Sequence, residues 1–137
     1  MELVYLWVEE YKNIKKQGFN FSPRFDCKFH DEYDENNKLQ DDCKLEINLK
    51  EYTNIFPDNI NITAIIGENG VGKTTILGLI NTIISQLNIE IPTKYIVIVN
   101  INNHQHFRTN IDNISMNEKF LTYLFMMAEI SKILLNF

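Results

Sequence analysis

Three of the five glycines in this chain fall within one short string, Gly67-Glu68-Asn69-Gly70-Val71-Gly72-Lys73-Thr74. No other feature constrains the fold as tightly, because glycine enters left-handed backbone without a steric penalty and lets a neighbour approach its main chain closely. Before the string stands an apolar, largely β-branched run, Ile62-Thr63-Ala64-Ile65-Ile66, and a helix-patterned stretch begins at Lys73. Strand, glycine loop and helix in that order are the context of a phosphate-binding loop.

Each position then has a physical reason. A Cβ at Gly67, Gly70 or Gly72 would obstruct the turn or the approach of a polyphosphate to the backbone N–H groups of residues Gly67, Glu68, Asn69, Gly70, Val71 and Gly72, which form the cradle. Lys73 is expected to place its ammonium near the β and γ phosphates, and the Thr74 hydroxyl to ligate Mg²⁺, with Thr75 reaching the α phosphate. The positive end of the following helix adds to the attraction. A dinucleotide-binding fingerprint is excluded, since starting it at Gly70 and Gly72 demands glycine where Thr75 stands.

A length of 137 residues with 45% hydrophobic content suits one globular unit with a real core. The net charge of −5 argues against a nucleic-acid footprint over the whole surface. Cys27 and Cys43 are too few for a disulfide framework or a zinc site, and no secretory signal is recognisable, so a cytoplasmic setting is expected.

The N-terminal third reads as strands. Leu3 to Val8 is a two-sided buried segment that takes in the single tryptophan, Trp7, read as core rather than as a platform for a base. Phe19-Asn20-Phe21 and Arg24 to Phe29 alternate with period two, and Leu45, Ile47 and Leu49 alternate with polar neighbours. Between them, residues 31–42 are acidic and rich in asparagine, which marks a solvated loop. Downstream, Ile76, Ile80, Ile83, Ile84 and Leu87 define one helix face ending near Asn88 or Glu90, with Gly78 read as a point of close packing. Tyr95 to Val99 and His106 to Thr109 are expected to form a hairpin, in which His104 and His106 read as polar turn residues rather than metal ligands.

Ser115 and Glu118 are spaced as a capping box before an apolar segment, Phe120 to Phe137, which is expected to be a helix seeking burial on several sides. Glu129, Ser131, Lys132 and Asn136 interrupt it and argue against a membrane span. On this reading the chain looks unfinished.

The strand ending in Glu10-Tyr11-Lys12-Asn13-Ile14, taken with Ile66 to Thr75, resembles the first lobe of an ABC-type ATPase. It is similar in particular to the SMC, RecF and OLD-like group and to AAA-family ATPases of bacterial anti-phage systems of the Septu and retron-associated type. The resemblance covers most of residues 1–137 and implies a fold class: α/β, a P-loop NTPase first lobe with an antiparallel β-rich portion, a Walker A strand-loop-helix and a C-terminal helix, making an incomplete ABC-type head. It implies ATP and Mg²⁺ as cofactors, and Lys12 and Asn13 beside the phosphates. It also implies a head-to-head homodimer or a missing C-terminal lobe, an effector nuclease as a partner, and nucleic acid handled only through the parent complex.

The departures from that family are specific. The other glycine-containing motif of such ATPases cannot lie here, because no glycine follows Gly78. A Walker B aspartate and glutamate are not identifiable; the nearest string, Leu124 to Glu129, lacks the aspartate. Without those carboxylates much of the electrostatic positioning for phosphoryl transfer is missing, so catalytic residues stay unassigned and slow hydrolysis by this chain alone is expected. Two functions follow: ATP binding as the N-terminal part of a larger ATPase coupled to DNA-related or antiviral action, or a stand-alone nucleotide-binding module that pairs with a full-length ATPase and does not hydrolyse ATP.

Overall fold

The computed structural model describes residues 1–57, 60–68, 70–85 and 90–117. Among them are strands β1 (Glu2–Tyr11), β2 (Ile14–Asn20), β3 (Phe25–His30) and β4 (Lys44–Leu49), the helix α1 (Lys73–Ser85), and strands β5 (Tyr95–Ile101), β6 (His104–Thr109) and β7 (Ser115–Met116). The C-terminal segment from Glu118, with its expected helix and Glu129, lies outside the described residues.

The first sheet has the order β2-β1-β5-β6 and is antiparallel throughout. Its central strands read as nearly continuous apolar runs because both faces are covered. Leu6 and Val8 of β1, with Tyr95 and Val97 of β5, face α1 and pack on its buried residues Ile76, Leu79 and Ile83. On the other face, Tyr5, Trp7, Ile96 and Ile98 meet Phe25, Cys27, Phe29, Leu45 and Ile47. A register irregularity between Leu3 and Tyr5 lets Val4 and Tyr5 both face this second layer. Trp7 is 1% exposed and meets Phe29 edge-on, with ring centroids 4.7 Å apart. It is a core residue, in accord with its strand setting.

The second sheet is β3-β4-β7, with β3 and β4 antiparallel and β4 and β7 parallel. Its edges are held by two asparagine side chains. Cys27 and Ile47 are cross-strand partners, yet the N–H and C=O of Cys27 bond the Asn20 amide, and those of Ile47 bond the Asn117 amide. The two residues form a non-hydrogen-bonded pair whose backbone groups point outward. Each asparagine amide stands in for a missing strand.

This architecture corrects the expected α/β P-loop lobe. The described residues make a mostly β domain of three layers, helix on sheet on sheet, with α1 the only helix among them. The run Ile62 to Ile66 is not a strand: Ile62 is 63% and Ile66 91% exposed, and only Ile65 packs against the core. The physical reason is pairing. A strand needs neighbours for its backbone groups, and among the described residues no backbone–backbone hydrogen bond joins residues 61–66 to either sheet. Two smaller expectations also change. Leu49, expected on the buried face of a half-buried strand, is an exposed strand end, and among the described residues nothing lies within 4 Å of a Cβ at Gly78, so none of them packs closely there. The hairpin of β5 and β6 forms as expected, but with a tighter turn, Asn102 and Asn103 at φ of 51° and 64°.

Candidate functional site

The glycine string runs directly into α1, whose first residue is Lys73. Gly72 is the cap: its carbonyl accepts the first helical hydrogen bond, from the Ile76 N–H at 2.9 Å. Gly70 and Gly72 have φ of 86° and 105°, the left-handed region in which a side chain is strained. At Gly67 the constraint is spatial, since a Cβ there would lie 2.8 Å from a methyl of Val71.

Two residues of the β1–β2 turn were expected beside the loop, and the structure separates their roles. Asn13 Nδ2 donates to the Gly70 carbonyl at 3.1 Å. The same amide lies under Gly72, where an added Cβ would meet Nδ2 at 3.2 Å and Oδ1 at 3.4 Å. Asn13 therefore grips the loop backbone and turns the Gly70 carbonyl toward β1. Lys12 holds the adjacent turn position at φ 54°, and its ammonium sits over the Tyr11 ring, 5.6 Å from the centroid.

Within the loop, Lys73 Nζ donates to the carbonyls of Gly67 at 2.5 Å and Glu68 at 2.6 Å. Its ammonium thus folds back onto the string and bridges two of its carbonyls. Gly67, Glu68, Gly70 and Thr74 are exposed, Val71 is 55% exposed, and Lys73 and Thr75 are half-buried. The Thr74 hydroxyl is therefore open to a metal ion that keeps most of its own waters. Asn69 lies outside the described residues. Thr63 also shapes the approach to the loop: its hydroxyl donates to the Phe21 carbonyl at 2.9 Å and pins the segment before the loop. Its only signal in the sequence was a lone hydroxyl in an apolar run.

Other reactive groups are placed differently. Burial, chiefly, and the Asp26 charge push the Cys27 thiol up to about 12, which keeps it protonated and unreactive at neutral pH. Cys43 is also a buried free thiol. His104 and His106 lie two apart on β6. Burial first, then the neighbouring His104, holds His106 below the ordinary histidine range. Among the described residues no three His, Cys, Asp or Glu side chains gather into a metal site, and no helix is long and apolar enough to cross a membrane.

No family model, curated protein or solved structure matches this chain.

Proposed function

We propose that this chain binds ATP with Mg²⁺ through Gly67 to Thr75, in the manner of the SMC, RecF and OLD-like ATPases that its sequence resembles. The observation that carries this reading is the pair of left-handed glycines, Gly70 and Gly72, set at the start of α1 with the Gly70 carbonyl drawn aside by Asn13. Carbonyls repel phosphate and N–H groups attract it, so tethering the Gly70 carbonyl to a neighbouring turn takes one repulsive group away from an approaching anion. Lys73 supplies the compact, mobile charge for the outer phosphates, and Thr74 the hydroxyl for the metal.

The loop reads phosphates rather than the base, so adenine and the coupling of binding to DNA-related or antiviral action rest on the sequence resemblance. Titration calorimetry with Mg²⁺ and ATP tests the binding: heat that Lys73→Ala removes supports it, and no heat with the native chain refutes it.

A further inference from the structure

Residues 60–66 are attached to the domain in an unusual way. Three of their exposed side chains are isoleucines, with Ile60 43%, Ile62 63% and Ile66 91% exposed, beside the exposed Asn61, Thr63 and Ala64. Among the described residues, no backbone–backbone hydrogen bond joins residues 61–66 to another element. Among the described residues three attachments hold the segment: the Thr63 hydroxyl on the Phe21 carbonyl, Ile65 against the core beneath α1, and Lys73, which grips the next two carbonyls, those of Gly67 and Glu68.

We propose that Lys73 couples polyphosphate binding to the anchoring of this segment, so that the ligand loosens the apolar stretch leading into the loop. The proposal rests on the nucleotide-binding reading above. An ammonium bound to two neutral carbonyls is drawn away by a multiply charged phosphate, because a hydrogen bond between two charged groups is stronger than one to a neutral acceptor. The transfer releases the Gly67 and Glu68 carbonyls to water and removes one of the three attachments. The loop and the segment before it then respond in opposite directions. The backbone from Gly70 to Thr75 gains contacts with the phosphates, while residues 62–66 lose an anchor and move more freely. The ligand thereby controls how firmly Ile62 and Ile66 are presented at the surface.

A nitroxide label on Ile62→Cys in the full chain tests this in two arms by its electron spin resonance line width, since Cys27 and Cys43 are buried thiols. With Mg²⁺ and ATP added, a narrower line at position 62, the sign of faster motion, is expected. A broader line, or an unchanged one while amide exchange at residues 70–75 slows, overturns the coupling. In the second arm, Lys73→Met without nucleotide is expected to narrow the line by itself. An unchanged line there overturns it, and native exchange protection in β1 and β5 shows that the variant is folded. No slowing of exchange anywhere in 70–75 on adding the nucleotide would instead refute the binding reading itself, a result that the ligand-free arm does not share.

Discussion

The Asn13 side chain reaches across 57 residues of sequence to the Gly70 carbonyl, with a hydrogen bond of 3.1 Å. This single contact ties the β1–β2 turn to the glycine loop, and it changes what Asn13 is for. A residue beside a phosphate site can touch the ligand or hold the loop that does. Here the amide faces the loop backbone and packs under Gly72, so Asn13 acts through the geometry of the loop.

Asn13→Ala is accordingly expected to weaken Mg·ATP binding by roughly tenfold, the value of one net hydrogen bond of about 1.4 kcal/mol, while leaving the unfolding midpoint almost unchanged because the side chain is exposed. Asn13→Asp removes the donor and adds a negative charge next to the phosphates, and is expected to weaken binding further. Calorimetric titration of the three proteins at one ionic strength checks the order. Equal affinities would remove Asn13 from the site.

The two glycines flanking Lys73 make opposite predictions for the same substitution. At Gly72, alanine meets both a φ of 105° and the Asn13 amide 3.2 Å away, so Gly72→Ala is expected to cost about 1–2 kcal/mol of stability and to disturb the start of α1. At Gly78, inside the helix with no atom of the described residues within 4 Å of an added Cβ, Gly78→Ala is expected to gain about 0.5–1 kcal/mol. Urea unfolding followed by circular dichroism reads both signs in one experiment.

What was legible in the sequence divides along physical lines. The positions of Gly70, Gly72 and Lys73 could be read because conformational freedom and helix initiation are local properties. The alternation of Phe25, Cys27 and Phe29, and of Leu45 and Ile47, likewise shows in the core facing the first sheet. The run Ile62 to Ile66 misled because its composition expresses β propensity alone, and propensity supplies no neighbour for the backbone. The hydrogen bonds that make a strand come from elsewhere in the fold, and β1 takes its partners from β2 and β5. Asn20 and Asn117 were unreadable for a related reason: whether an asparagine solvates a loop or replaces a strand depends on which peptide lies beside it.

Those two asparagines make the next prediction. Asn20 gives both a donor and an acceptor to Cys27, at 2.9 Å and 2.8 Å, so Asn20→Ala strands two partly buried backbone groups at the edge of β3. A loss of about 1–3 kcal/mol is expected, as for a polar group left unpaired. Asn20→Asp keeps the acceptor but loses the donor and is expected to recover part of it. The native Cys27 thiol offers an independent reading: its labelling by a thiol reagent under native conditions should quicken in Asn20→Ala. A midpoint and labelling rate equal to those of the native chain would show that β3 holds its edge without this amide.

Acid stability turns on Glu2. Its side chain is 5% exposed, hydrogen-bonded to Ser22 Oγ at 2.7 Å and to Asn100 Nδ2 at 3.1 Å, and paired with Arg24. Burial alone would raise its pKa, but the bonds from Arg24, Ser22 and Asn100, with the Arg24 charge, together hold the carboxyl below its usual 4.5. With the folded value depressed, the unfolded chain binds the proton first as the pH falls. The stabilisation from Glu2 is therefore complete above about pH 4.5 and is lost as the pH drops through the folded value. Glu2→Gln is expected to be less stable than the native chain at pH 7, because Arg24 keeps its charge but loses its partner. It is also expected to show a shallower fall in stability below pH 4.5. Urea titrations from pH 7 downward decide it, since parallel stability curves for the two proteins would mean that the Glu2 carboxylate plays no part in acid unfolding.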